Sequence, residues 1–110
     1  MRIYREIPRT VHRLAHELCD GRWIALGGGG YDIWRVVPRA WTLLWAEMND
    51  MHLEDQQLPQ QWLNHWQAES PVTLPPMLFD PQMKPIPRRL EIEAKNRRTL
   101  ERLLWYVPKV

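Results

Sequence analysis

Leu26-Gly27-Gly28-Gly29-Gly30-Tyr31-Asp32-Ile33-Trp34-Arg35-Val36-Val37-Pro38-Arg39-Ala40-Trp41-Thr42 is the stretch whose reading decides the fold. The apolar run Trp23-Ile24-Ala25-Leu26 leads into four consecutive glycines, then a tyrosine, then a pattern of helical period. Glycines at such a junction let the backbone take φ > 0 and let another group approach the main chain closely. The apolar run has no polar alternation, which predicts a short strand at about 22–26, buried on both faces as in a parallel sheet. Ligands of open α/β sheets sit in the crevice at the carboxyl ends of such strands. A tyrosine placed directly after the glycines would point its hydroxyl into a site.

A central strand needs a neighbour on each side, and the rest of the sequence offers no second convincing strand. Each unpaired buried backbone group costs about 1–3 kcal/mol, so one isolated strand is not a stable design. Its neighbours are therefore expected on another copy of the chain or in a further part of the same protein. A helical pattern that starts almost at Met1 fits the same expectation, and the chain reads as a fragment.

Upstream, Ile7, Val11, Leu14, Ala15 and Leu18 recur at helical spacing and predict one amphipathic helix, closed by Asp20-Gly21. Pro8 is compatible with it only in a first turn or after a kink. Downstream, Trp34, Val37, Trp41, Leu44, Trp45 and Met48 mark a second helix with a wide apolar face, with Asp32 as N-cap and Asn49-Asp50 at its end. Residues 53–87 are acidic and proline-rich. They predict an extended arm with one short helix around Gln60 to Gln67, and Leu74, Met77, Leu78 and Phe79 need a surface to pack on. Pro71, Pro75, Pro76, Pro81, Pro85 and Pro87 forbid regular structure there. A last helix is predicted from about Pro87 to about Trp105, with Glu91–Lys95 and Glu93–Arg97 as i,i+4 pairs and Pro108 as its stop. The expected organisation is a helix–strand–glycine loop–helix segment at 1–52, the arm at 53–87, and a C-terminal helix and tail at 88–110.

Composition narrows the function classes. The 110 residues suffice for one modest core, and seven tryptophans bring more aromatic surface than a few elements easily hide. Residues 1–41 carry seven basic and four acidic side chains, residues 42–83 none and six, and residues 84–110 eight and three. Blocks of that kind complement one another within a fold, and a net charge of +2 is too small to argue for nucleic acid. The single cysteine, Cys19, excludes an internal disulfide. With no membrane-length apolar run and no signal-peptide core, a cytoplasmic protein is expected, and neither nucleic acid nor membrane is an expected partner.

Few residues carry chemistry. His12 and His16 stand four apart, as in a zinc helix, but Arg13 occupies the position of the general-base glutamate and no third ligand is evident, so a solvated face is the reading. The glycine tract lacks the Gly-Lys-Ser/Thr ending of a phosphate loop, and no choice of first glycine completes a dinucleotide fingerprint. The basic side chains of the last helix are interleaved with glutamates, which favours a solvated face over nucleic acid. Tyr31 keeps two readings: a turn tyrosine packing its ring on the second helix, or a functional phenol.

The run Leu26-Gly27-Gly28-Gly29-Gly30-Tyr31, followed by Val37-x-Arg39-x-Trp41-Thr42, resembles the closing motif of the zinc-dependent histone deacetylase superfamily. Asp20-Gly21-Arg22-Trp23 before it, Leu43-Leu44-Trp45-Ala46-Glu47-Met48 after it, and Ile86-Pro87-Arg88-Arg89 with Glu91 to Arg97 in the tail resemble its bacterial acetoin-utilization branch. The resemblance covers nearly the whole chain but only the C-terminal third or so of such an enzyme. It implies an α/β, three-layer arginase/deacetylase-like parent fold of which this chain is a mostly helical fragment. In that superfamily a zinc ion and a histidine-activated water attack the carbonyl of an acetylated lysine. The motif tyrosine donates a hydrogen bond to that carbonyl. By resemblance that role falls to Tyr31, and Gly28, Gly29 and Gly30 line the channel for the acyl-lysine stem. Nothing here matches the superfamily's zinc ligands or general base. Zinc is thus expected in the parent and not on this chain alone, which should be inactive by itself. The expected partners are the remaining N-terminal part of the deacetylase or a second copy, and in the parent an acetylated protein. The alternative is a non-catalytic helical module that oligomerises through tryptophan-rich faces.

Overall fold

A computed structural model of the chain describes residues 1–81 and 86–107. The predicted stop at Pro108 and the arm position Pro85 lie outside the described residues. Four helices follow in order: α1 (Ile3–Leu18), α2 (Val37–Met48), α3 (Gln60–Gln67) and α4 (Arg89–Tyr106). The chain divides into two compact units, Met1–Asp80 and Pro81–Val110.

The expected α/β class is overturned. Among the described residues there is no strand or sheet, and residues 22–31 run on without regular structure. Trp23 and Ala25 are half-buried while Ile24 and Leu26 are 83% and 87% exposed, so the run is not covered on both faces. The physical reason is the missing ladder. Strand conformation persists only where neighbours satisfy its N–H and C=O groups, and the described pairing is limited to one antiparallel bridge, Gln57 with Met77.

In the Met1–Asp80 unit α1 packs on α2. Pro8 lies inside α1 and is buried there with Ala15. The Cys19 and Gly21 N–H groups both reach the Ala15 carbonyl, and Asp20 and Gly21 take positive φ, so Asp20-Gly21 closes the helix as its sequence predicts. The predicted apolar stripe of α1 is a different matter. Of that stripe Ala15 is buried, with Pro8 beside it, whereas Ile7, Val11, Leu14 and Leu18 are exposed.

The same inversion holds in α2. Its buried side chains are Arg39, Leu43 and Ala46, at i, i+4 and i+7, whereas Trp41, Trp45 and Met48 of the predicted face are exposed. The core lies under the arm. Leu43 and Leu78, each 1% exposed, meet Phe79, with Met1, Leu53 and Leu58 packed against them. Residues 53–80 are pinned to one another by Leu58 N–H to the Pro76 carbonyl (2.8 Å), Leu78 N–H to the Gln56 carbonyl (2.9 Å) and Phe79 N–H to Asp55 Oδ1 (3.2 Å). The Arg5 guanidinium lies 4.9 Å from the centre of the Phe79 ring.

The Pro81–Val110 unit contains α4. Among the described residues its ion pairs are Arg88–Glu91 and Arg89–Glu93, in place of the expected Glu91–Lys95 and Glu93–Arg97. Leu100, Leu103, Leu104 and Trp105 are exposed on it.

Candidate functional site

The glycine run forms one wall of a groove of about 660 Å³ in the Met1–Asp80 unit. Tyr4, Ile7 and Pro8 of α1 and Val37, Ala40, Trp41 and Leu44 of α2 line it together with Leu26 and Gly27 to Gly30. The groove is therefore mostly apolar, floored by side chains of two helices and edged by bare main chain. Each glycine meets a different constraint. A Cβ at Gly27 would stand 3.2 Å from the Trp41 ring, and one at Gly30 would stand 3.1 Å from Val37 Cγ2, whereas nothing lies within 4 Å of one at Gly28. Gly29 and Gly30 have φ of 73° and 83°, a region that L side chains rarely adopt.

Tyr31 follows directly and is 95% exposed. Its ring does not pack on α2; the contact it offers is to Gly29, where a Cβ would stand 3.9 Å from Tyr31 Cε2. Of the two readings left open for this residue, the packed turn tyrosine is not what the structure shows.

Beyond Tyr31 the chain is tied down at once. The Asp32 carboxylate accepts the Arg35 N–H (2.9 Å) and Arg35 Nε (2.9 Å), and its carbonyl accepts the N–H groups of Val36 (3.1 Å) and Val37 (3.0 Å). The side-chain hydrogen bond from Arg35 and the one from its backbone N–H hold the Asp32 carboxyl below its ordinary pKa. Asp32 thus caps the turn of residues 33–36 that leads into α2, one turn before the helix proper.

Arg39 was not among the sequence-based candidates, and it is the most constrained polar side chain of the region. At 5% exposure its Nε donates to the Arg35 carbonyl (2.6 Å), and its Nη1 reaches Asp80 Oδ1 (2.9 Å) and the carbonyls of Leu78 (3.3 Å) and Met77 (3.4 Å). Its signal in the sequence was the 39/43/46 spacing, a helical stripe with an arginine where an aliphatic residue is usual.

The histidines do not assemble a metal centre. His12 Nε2 lies 2.9 Å from His16 Nε2, a hydrogen bond between the two rings, and the His12 ring centre lies 6.0 Å from a Trp23 ring. Among the described residues no group of three or more His, Cys, Asp or Glu side chains could hold a metal ion. A site of zinc type needs three or four such ligands, so the residues present do not fit that ion. No helix is long and apolar enough to cross a membrane, among the described residues.

No family model and no solved structure matches the chain. Curated proteins do. The chain is 50% identical over 107 residues to the acetoin utilization protein AcuC of Bacillus subtilis, a match that takes in 96% of this chain and 27% of that protein. It is 39% identical over 104 residues to AcuC of Staphylococcus aureus and 38% identical over 104 residues to AcuC of Staphylococcus xylosus, each time over 92% of this chain and 27% of the relative. The chain thus spans about a quarter of the length of the curated relatives it matches, and the matching quarter is their C-terminal part.

Proposed function

We propose, with the kinship to the C-terminal part of acetoin utilization proteins as premise, that this chain is the C-terminal portion of a zinc-dependent deacetylase of acetyl-lysine. It supplies the oxyanion-stabilising Tyr31 and is inactive alone. The observation that carries this reading is the placement of one bare phenol at the end of a glycine wall. The ring is almost fully exposed and the groove beside it is apolar.

The chemistry of that placement is specific. A carbonyl under attack gains charge on its oxygen as its carbon becomes tetrahedral. A phenolic O–H held at that oxygen therefore binds the transition state more strongly than the substrate. Loss of one such donor costs ~10²–10³ in rate. The glycines serve a second requirement. The four methylenes of an acyl-lysine need a narrow apolar passage, and at Gly28 no side chain intrudes on it. These residues offer no zinc ligand set among those described, so the metal belongs to the remainder of the parent. The relatives' name, acetoin utilization protein, supports the setting.

The test uses the intact protein. Tyr31→Phe should lower kcat by ~10²–10³ with metal content unchanged. Wild-type turnover in that variant overturns the reading, and parallel loss of zinc would make Tyr31 structural instead. A second reading, a non-catalytic module that self-associates, draws on the exposure of Trp41, Trp45 and Trp105. It is favoured if the intact protein shows no amide hydrolase activity while light scattering shows a stable oligomer that Trp45→Ser dissolves.

A further inference from the structure

We propose that Asp32 is the positioning residue for the Tyr31 hydroxyl, clamping both the turn after the tyrosine and, through Arg35 and Arg39, the arm segment 77–80. The inference deepens the catalytic reading of Tyr31 and rests on it. Residues 22–31 carry no regular structure, so within this chain no strand ladder holds the phenol in place. An exposed side chain on such a segment would sample many positions, and misplacement of a catalytic group by about 1 Å can cost ~10²-fold in rate.

What holds it is the turn of residues 33–36 and the first residue of α2, which meet the neighbours of Tyr31 on both sides. On the near side Gly30 lies against Val37, close enough that a Cβ would stand 3.1 Å from Val37 Cγ2. On the far side the Asp32 carboxylate bonds the Arg35 backbone and guanidinium, and its carbonyl receives the Val36 and Val37 N–H groups. The two residues flanking Tyr31 thereby both meet the segment 35–37, Gly30 by close approach and Asp32 by hydrogen bonds. That segment is anchored in turn. The Arg35 carbonyl accepts Arg39 Nε at 2.6 Å, and Arg39 reaches Asp80 and the 77 and 78 carbonyls, where Leu78 and Phe79 join the core. Bonds of this charge-assisted kind are shorter and stronger than neutral ones. The order of the phenol is thus borrowed from the core through two arginines and two aspartates.

The experiment compares Asp32→Ala, Asp32→Asn, Tyr31→Phe and the double variant Tyr31→Phe/Asp32→Ala in the intact protein. It reads kcat, KM, metal content and amide hydrogen exchange. Asp32→Ala should lower kcat by up to ~10²-fold with little change in KM or metal content, and should speed exchange at the 35–37 amides while those of Leu43 to Ala46 stay protected. Asp32→Asn keeps an acceptor for the Arg35 N–H and should recover part of both. In the Tyr31→Phe background the Asp32→Ala loss should vanish, because nothing remains to be positioned. An equal fold loss in both backgrounds overturns the proposal, as does unchanged exchange at 35–37. If Tyr31→Phe alone turns over like the wild type, the catalytic reading fails. The positioning claim is then decided by the exchange result, which does not depend on activity.

Discussion

Arg39 carries a charge into the core of the Met1–Asp80 unit because acceptors meet it on two sides: the Arg35 carbonyl behind, and Met77, Leu78 and Asp80 ahead. Removing it strips hydrogen bonds from partly buried carbonyls and should cost about 1–3 kcal/mol. Arg39→Met is therefore expected to lower the denaturant midpoint at unchanged slope. Arg39→Lys should not rescue it, since one ammonium cannot span the acceptors that a planar fork spans. Two carboxylates of this network predict an acid transition. In the polypeptide prepared by itself, Asp32 is held below its ordinary pKa by Arg35, and Asp80 by the Met1 ammonium first and Arg39 after it. For groups depressed in the folded state, the stabilisation is fully present above the unfolded value of about 3.9 and disappears as pH falls through the lower folded value. The melting temperature should therefore be flat at neutral pH and fall below about pH 4, with a shallower fall in the Asp32→Asn/Asp80→Asn double variant. Both aspartates could be read as polar residues of a cap and a loop. The pairing of Arg39 with Asp80 could not, because the two are joined only in three dimensions.

At the level of elements, α1, α3 and α4 were legible within a residue or two, since period, prolines and the Asp20-Gly21 signal are local properties. What faced what was not. Ile7, Val11, Leu14 and Leu18 define a stripe by spacing alone, but spacing carries no information about whether a covering surface is present. The same limit misread Trp23 to Leu26: four apolar residues in a row fit a buried strand equally well as an uncovered extended segment, and pairing decides between them. The candidate site was better inscribed. Gly29, Gly30 and Tyr31 announce a strained turn by residue type, and the positive φ values fall there. The glycines should separate two effects experimentally. Gly30→Ala places a Cβ at φ 83° and against Val37, so it should destabilise by about 1 kcal/mol or more, read as a lower melting temperature. Gly28→Ala meets nothing within 4 Å and should leave unfolding unchanged. In the intact protein its methyl would instead narrow the proposed acyl-lysine passage, read as a fall in kcat/KM.

For the molecule as a whole, α1 leaves Ile3, Ile7 and Leu18 bare, α2 leaves Trp41 and Trp45, and the run before the glycines leaves Ile24 and Leu26, and contiguous apolar surface of this kind marks a site of interaction. That agrees with a chain covering about a quarter of its relatives. Prepared by itself, the polypeptide should self-associate as concentration rises, measured by sedimentation, and should unfold at the same temperature with or without a chelator. A melting point lowered by chelation would reveal a metal contribution that the described side chains do not account for. Inactivity toward acetyl-lysine peptides is expected of the same preparation, and robust hydrolysis by it would refute the assignment of the base and metal elsewhere.

α2 has one side already spoken for by Leu43 and Ala46 and another on which Trp41, Trp45 and Met48 stand open. The helix is in effect a border, and tolerance to change along it should depend on which territory is assayed. Selection for folding of these residues alone would forbid variation at Leu43 and leave Trp45 free to drift. Selection for the full-length protein would find both equally fixed.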